Sequence, residues 1–244
     1  MSKKGFYVQL HLHTSETSAC GRATGAEMAR ACKAAGYDLI AITDHFFNSN
    51  IGCPLDMSWE DKVEYMFRGY YAAKAEGDKI GLEVIKGWET ADRNIHAQQY
   101  LSGPELLTYG LGEEFLLANP DIAEVPYHEY IRRVTEAGGY LVHAHPYRQA
   151  HYIVDFKPDP ASVPAYEVFN ACNSVSEWNT KAYREAKEHG LLMLAGSDAH
   201  TTDGVRGGGM RFSRPVHSIQ EIFRALREGD GQIIEKLPAA EHLY

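Results

Sequence analysis

The chain has 244 residues, 44% of them apolar, enough for one domain with a sizeable core. Its net charge is −9 and no run of Lys or Arg stands out, which argues against binding a long nucleic acid. No apolar stretch approaches the roughly 20 residues of a membrane span, and MSKKGFYVQLHLHT has no signal-peptide core, so a cytoplasmic protein with no membrane partner is expected.

Short apolar runs alternate with helical patterns. FYVQL (6–10) reads as a first strand, followed by a helix opened by the capping box of Thr24 and Glu27 and closed by Gly36. DLIAIT (38–43) is a second strand. Ser58 caps a helix running to about Glu76, with Val63, Met66, Phe67 and Tyr70 at helical spacing. Ile51 to Leu55 and Thr90 to Pro104 read as loops. Further strands are expected at EVIKGW, LLTYG, YLVHA, YEVF and LLMLAG, and helices at about 127–137, 178–189 and 218–228. Ser218 and Glu221 repeat the capping box. Seven strands alternating with helices predict a parallel α/β fold in one domain. Cys20, Cys32, Cys53 and Cys172 form no CxxC pair, as in a reduced intracellular protein.

The 12 histidines are not scattered. Five clusters fall at strand ends: His11-Leu12-His13, Thr43-Asp44-His45, Gly87-Trp88-Glu89, His143-Ala144-His145-Pro146 and Ser197-Asp198-Ala199-His200. Residues i and i+2 of an extended segment point to one side, so each HxH can aim two imidazoles at one point. In parallel α/β folds the C-terminal strand ends gather on one face. A single histidine there is more often an ordinary hydrogen-bonded one, and a single acid a loop acid; five such clusters are not explained that way. Imidazole and carboxylate without thiolate suit zinc, manganese or iron. His11, His13, His45, Glu89, His143, His145, Asp198 and His200 exceed the needs of one ion, so two or three divalent ions are expected.

The order HxH, TDH, GxE, HxHP and SDAH resembles the PHP family, named for polymerase and histidinol phosphatase. The resemblance covers about residues 6–200, and GGGMRF and the last helix are also similar to the family. It implies a distorted seven-stranded (β/α)7 barrel over residues 1–244, with a trinuclear site at the C-terminal ends of the strands. It places His11, His13, Glu89 and Asp198 around one ion. Glu89 would bridge to a second ion that His143 also binds, and His45 and His200 would hold the third. Two departures leave alternatives open. Glu16, or else Cys20, is expected to complete the third ion's shell; Glu105, or else His96, the second's.

A water bridging two ions would attack a phosphoester whose oxygens the same ions hold. Asp44 is the acidic companion of His45 in this reading. His145 is a phosphate contact or proton donor as readily as a ligand. Arg148 is a candidate for bidentate phosphate recognition or a surface arginine, with Arg22 and Arg206 lesser candidates. Asn170 orients substrate or caps a turn. Gly207 to Gly209 lack the Lys-Ser/Thr of a P-loop and are expected to let the backbone pass close to the site. The expected function is thus a metal-dependent phosphoesterase acting on a phosphomonoester or phosphodiester of a small metabolite or short nucleotide. Histidinol phosphate is one specific case. An amidohydrolase-type enzyme would want a lysine between the metals, and none stands at a strand end. A non-catalytic metal-binding module would be expected to have lost ligands. The oligomeric state is open.

Overall fold

Strand β1 (Phe6–Gln9) shows how the sequence sets the layers. Val8 and Leu10 join one apolar cluster while Tyr7 joins another, as the period of two in extended chain requires; past the strand's end the alternation breaks, and Leu12 joins the cluster of Tyr7. The computed structural model describes residues 5–91, 103–150, 153 and 157–237.

From β1 the chain passes through α1 (Gly25–Ala35) to β2 (Leu39–Ile42), then α2 (Trp59–Met66) and α3 (Arg68–Ile80) to β3 (Glu83–Ala91). Strand β4 (Glu105–Tyr109), α4 (Glu113–Ala118), α5 (Tyr127–Glu136), β5 (Tyr140–His143), β6 (Ala165–Asn170), α6 (Ser176–His189) and β7 (Leu192–Gly196) follow. A 3₁₀ turn at Thr202–Arg206, β8 (Met210–Phe212), α7 (Ile219–Arg227) and β9 (Gln232–Ile233) complete it. The expected capping box forms in full at Thr24 and Glu27; at Ser218 only half of it forms, the serine accepting from the Glu221 N–H while the Glu221 carboxylate accepts from the His217 N–H.

Among the described residues, one nine-stranded sheet has the order β7-β6-β5-β4-β3-β2-β1-β8-β9. Its end strand β7 packs on β8 and β9, so the sheet is barrel-like and nearly closed. The expectation of seven parallel strands needs two corrections. β4 is antiparallel to both β3 and β5, and β8 and β9 add an antiparallel extension beside β1. The reversal has a consequence for the site: the first residue of β4, Glu105, sits at the same end of the barrel as the last residues of its neighbours, paired with Ala91.

The predicted helix over 58–76 is broken at Phe67. The break lets the first turn of α3 press Gly69 onto Thr14 and Asp44; a Cβ there would lie 1.9 Å from Thr14 Oγ1. Inside the barrel, Val8, Leu39, Leu107, Val142 and Leu194 meet Ile219, Ile222 and Phe223 of α7, which closes the end near Gly110 and Glu83. The opposite end carries the polar cluster. Outside, α1 and α3 cover one flank, and α2, α4, α5 and α6 another.

Candidate metal centre

Most of the strand-end residues converge. His11 and His13 leave β1 with their rings on one side, and their Nε2 atoms are 3.2 Å apart. Asp198, just after β7, puts Oδ1 3.1 Å from His13 Nε2 and 3.5 Å from His11 Nε2. Glu89 of β3 is the centre: Oε1 lies 3.3 Å from His11 Nε2 and 3.0 Å from His145 Nε2. Its Oε2 lies 3.5 Å from His13 Nε2 and 3.1 Å from His45 Nδ1. Glu105 reaches His145 at 3.6 Å, and the His200 ring stacks on His13 at 4.3 Å. All of these are buried except His200, which is partly exposed.

Neighbours fix the tautomers of three rings. His11 Nδ1 is 2.9 Å from Glu167 Oε1, an acceptor, so Nδ1 carries the proton and Nε2 turns its lone pair inward. Ser18 Oγ donates to Asp44 Oδ1 at 2.6 Å and accepts from the His45 N–H. Its 3.3 Å contact with His13 Nδ1 is therefore one in which the ring donates, leaving His13 Nε2 free to ligate. His200 Nδ1 donates to the Asp198 carbonyl. His11 and His13 Nε2 are close enough to share one hydrogen bond while His11 is protonated, or one cation once it is not. Among the described residues, four overlapping groups satisfy the spacing a metal needs: His13, His45 and His200; His11, His13 and Glu89; His11, His145 and Asp198; and Glu89, Glu105 and His145.

Electrostatics point the same way. Burial pulls the His11 imidazole down, but Glu167, Asp198 and Glu89 hold it well above its ordinary value. Burial, His45 and His200 push His13 well below. Burial raises Glu89 and Asp198, yet each is held well below the usual carboxylate range, Glu89 chiefly by His11 and Asp198 by His11 and Arg148. Burial and Glu89 raise Glu105. The carboxylates thus stay charged only with cationic partners, a role that bound metal ions fill.

Other expected residues stand elsewhere. Glu16 accepts from the Gly25 N–H at the start of α1, outside the cluster. Cys20 is the loop residue beside the third group. Burial raises its thiol, but hydrogen bonds with His200 and His45 bring it down to about 6. His143 lies against the Tyr166 ring and is pushed to about 3 by burial, while His145 takes the ligand position. The i, i+2 rule fails there because His145 has φ 28°, which turns the backbone between the two rings. Asp44 accepts from Thr14 N, Thr14 Oγ1 and Ser18 Oγ, so both its oxygens are engaged in holding loop 14–18. Arg148 is neither on the surface nor open to a phosphate on Nε and Nη2. Nε donates to Asn173, and Nη2 to Asn170 and Asp198. Arg22 is exposed, its backbone N–H donating to His200 O, and Arg206 reaches Ala35 O and Leu237 O. His96 lies outside the described residues. Gly208, at φ 70°, passes Gly196 so closely that a Cβ would lie 2.2 Å from its carbonyl oxygen.

Glu167, Thr14 and Ser18 are the contributors that motif reading passes over. Glu167 was detectable in principle, as an acid within the apolar run AYEVF, because a buried carboxylate needs partners. Beside Glu105 and His145 a cleft of about 340 Å³ opens, walled by Pro104, Tyr147, Arg148, Gln149 and Ile153.

Residues 176–230 match the PHP-associated family. No curated protein matches the sequence. Among solved structures, a two-domain protein from Bacteroides vulgatus containing a domain predicted to be a PHP-like metal-dependent phosphoesterase aligns with a TM-score of 0.67 and 18% identity, over 96% of this chain and 66% of that one. An amidohydrolase from Chromobacterium violaceum, solved with sulfate and no metal, aligns at 0.52 and 16%, over 96% and 99%. The lesion-specific endonuclease PfuEndoQ from Pyrococcus furiosus aligns at 0.56 and 15%, over 93% and 57%. This chain therefore spans just under two thirds of the first structure's length and little more than half of the endonuclease. At these identities the shared property is the fold. The resemblance to PHP proteins is borne out by the family match and the fold.

Proposed function

We propose that the chain hydrolyses a phosphomonoester or phosphodiester of a small metabolite or short nucleotide. The observation that carries this reading is Glu89, each of whose oxygens faces two imidazoles within 3.5 Å. That is the arrangement of a carboxylate shared between cation positions. His11, His13, Glu89 and Asp198 would hold one ion, Glu89, Glu105 and His145 a second, and His13, His45 and His200 a third. Zinc, manganese or iron, two or three ions in all, would supply a water of lowered pKa and neutralise the phosphate oxygens.

The protein's own part is to hold these side chains dry and in one tautomer. Glu167, Ser18 with Asp44, and the Asp198 carbonyl fix three rings before any substrate arrives. The adjoining cleft, about 340 Å³ with Gln149 and Tyr147 on its walls, is sized for a small phosphorylated molecule. An amide-cleaving reading has the name of one similar structure in its favour. Against it, no lysine is buried among the described residues, so the bridging lysine of such sites has no counterpart. No described helix is long and apolar enough to cross a membrane. The four cysteines are free thiols, which supports the cytoplasm as the proposed location.

Purified protein, stripped and reloaded with manganese or zinc, tests the proposal against phosphomonoesters, cyclic phosphates, short oligonucleotides and amides. We expect phosphoester turnover that chelation abolishes and metal restores, and loss of at least about 100-fold in His11→Ala, on the order expected when a metal-activated water is lost. Amide turnover without phosphoester turnover, or full metal content and rate in His11→Ala, would overturn it.

A further inference from the structure

We infer that Glu167, Asn170 and Arg148 form one brace that positions two ligands of a single ion, His11 and Asp198; the inference rests on the reading of those two as metal ligands. Glu167 accepts three hydrogen bonds from three segments: His11 Nδ1 at 2.9 Å, the His145 N–H at 3.0 Å and Asn170 Nδ2 at 2.8 Å. Asn170 spends its oxygen on Arg148 Nη2 at 2.7 Å, and the same Nη2 lies 2.8 Å from Asp198 Oδ2. Arg148 Nε is fixed in turn by Asn173 Oδ1 at 2.9 Å. The hydrogen-bonded path thus leaves one ligand from behind, at His11 Nδ1, and returns to the other, at Asp198 Oδ2. The atoms left facing the ion are His11 Nε2 and Asp198 Oδ1.

The chemistry of each member is specific. Both Glu167 oxygens must accept, so a glutamine there sets an amide N–H against one of three donors. No space is left for a rearrangement, because a Cβ at Gly196 would already lie 2.5 Å from Glu167 Oε1 and from His11 Cβ. Arg148 holds Asn173, Asn170 and Asp198 through the fixed fork of a guanidinium, which a lysine ammonium cannot reproduce. Bidentate phosphate capture through Nε and Nη2 would require them to leave these three partners. Arg148 is accordingly a positioning residue, and so is Glu167. The His13, His45 and His200 group has its own supports in Ser18, Ser49 and the Asp198 carbonyl, so that ion lies outside the brace, while the His145 N–H ties the brace to the neighbouring second position.

The test measures metal equivalents and affinities by competition with a chromophoric chelator, using full-length wild type, Glu167→Gln, Glu167→Asp and Arg148→Lys loaded with zinc. One equivalent should bind about 10–100-fold more weakly in Glu167→Gln, as for other lost outer partners of a ligating histidine, with the equivalent held by His13, His45 and His200 unchanged. Glu167→Asp, which keeps a carboxylate, should recover part of that loss, and Arg148→Lys should weaken the same equivalent. Wild-type affinity for every equivalent in a folded Glu167→Gln protein overturns the brace alone. So does an Arg148→Lys protein with unchanged metal binding and a raised KM, the signature of a phosphate contact; this variant decides the matter should Glu167→Gln not fold. A wild-type protein that binds no zinc or manganese overturns the metal reading beneath it.

Discussion

Asp44 stands next to His45 in sequence but works behind the site. Thr14 N and Ser18 Oγ donate to Oδ1 and Thr14 Oγ1 donates to Oδ2, each at 2.6 Å. Through Ser18 the carboxylate governs which His13 nitrogen carries the proton. Burial nevertheless raises Asp44 to about 6, so the three bonds only partly offset desolvation. In Asp44→Asn an amide N–H must face at least one donor, and we expect a loss of about 1–3 kcal/mol, read as a melting point lower by several degrees. Zinc should also be lost from the group containing His13 and His45. Unchanged melting and metal content would return Asp44 to a direct part in the chemistry. At this scale the sequence is informative where side-chain direction follows from regular backbone. His11 and His13 obey the strand alternation, so their convergence is legible. His145 does not, because its φ of 28° is a local distortion with no residue signature. Glu16 and Cys20 both lie in the irregular loop that follows β1, and only the folded loop shows that Cys20 faces His45 and His200 while Glu16 serves α1.

Among the elements, the helical region after β2 departs most from its sequence pattern. Apolar positions at 63, 66, 67 and 70 read as one helical stripe, yet the chain ends α2 at Met66 and starts α3 at Arg68. Periodicity records which face is buried and is nearly blind to a break of one residue. The reason for the break is tertiary: Gly69 must lie against Thr14 and Asp44. Gly69→Ala would put a methyl 1.9 Å from Thr14 Oγ1 and 2.5 Å from Asp44 Oδ2. We expect it to cost about 1–3 kcal/mol, as overpacking does, with a matching fall in thermal midpoint. A midpoint equal to wild type would show that α3 can shift without disturbing the loop, and the contact at Gly69 would then not be the cause of the break. Strand β4 teaches the same lesson about direction. Its residues announce a strand, but nothing local says that it runs antiparallel, and that reversal brings Glu105 to the site. The short β8 and β9 are legible only as partners of β1 and of each other.

For the whole molecule, the barrel divides labour between its two ends. One end is closed by α7 and is apolar; the other gathers His11, His13, His45, His145 and His200 with Glu89, Glu105 and Asp198. Such a cluster opposes folding unless cations neutralise it, so metal and fold should be linked. A ligand at about 100 times its Kd contributes about 2.7 kcal/mol, which for a chain of this size is a shift on the order of 5–10 °C. Chelation should lower the thermal midpoint by that order, and added zinc or manganese should restore it. The shift should also depend on pH. Against the downward pull of burial, His11 is held well above the ordinary imidazole value by Glu167, Asp198 and Glu89, and His45 by Cys20 and Glu89. In the metal-free protein their protonation contributes stability that is fully present below about pH 6.5 and lost as pH rises through the raised values. Metal must displace those protons, so its affinity rises over the same range. The gap between loaded and stripped midpoints should therefore widen from about pH 6 to about pH 8. Melting both forms across that range checks it, and a gap that narrows toward the alkaline end, or no gap at all, would mean that these histidines do not bind the ions.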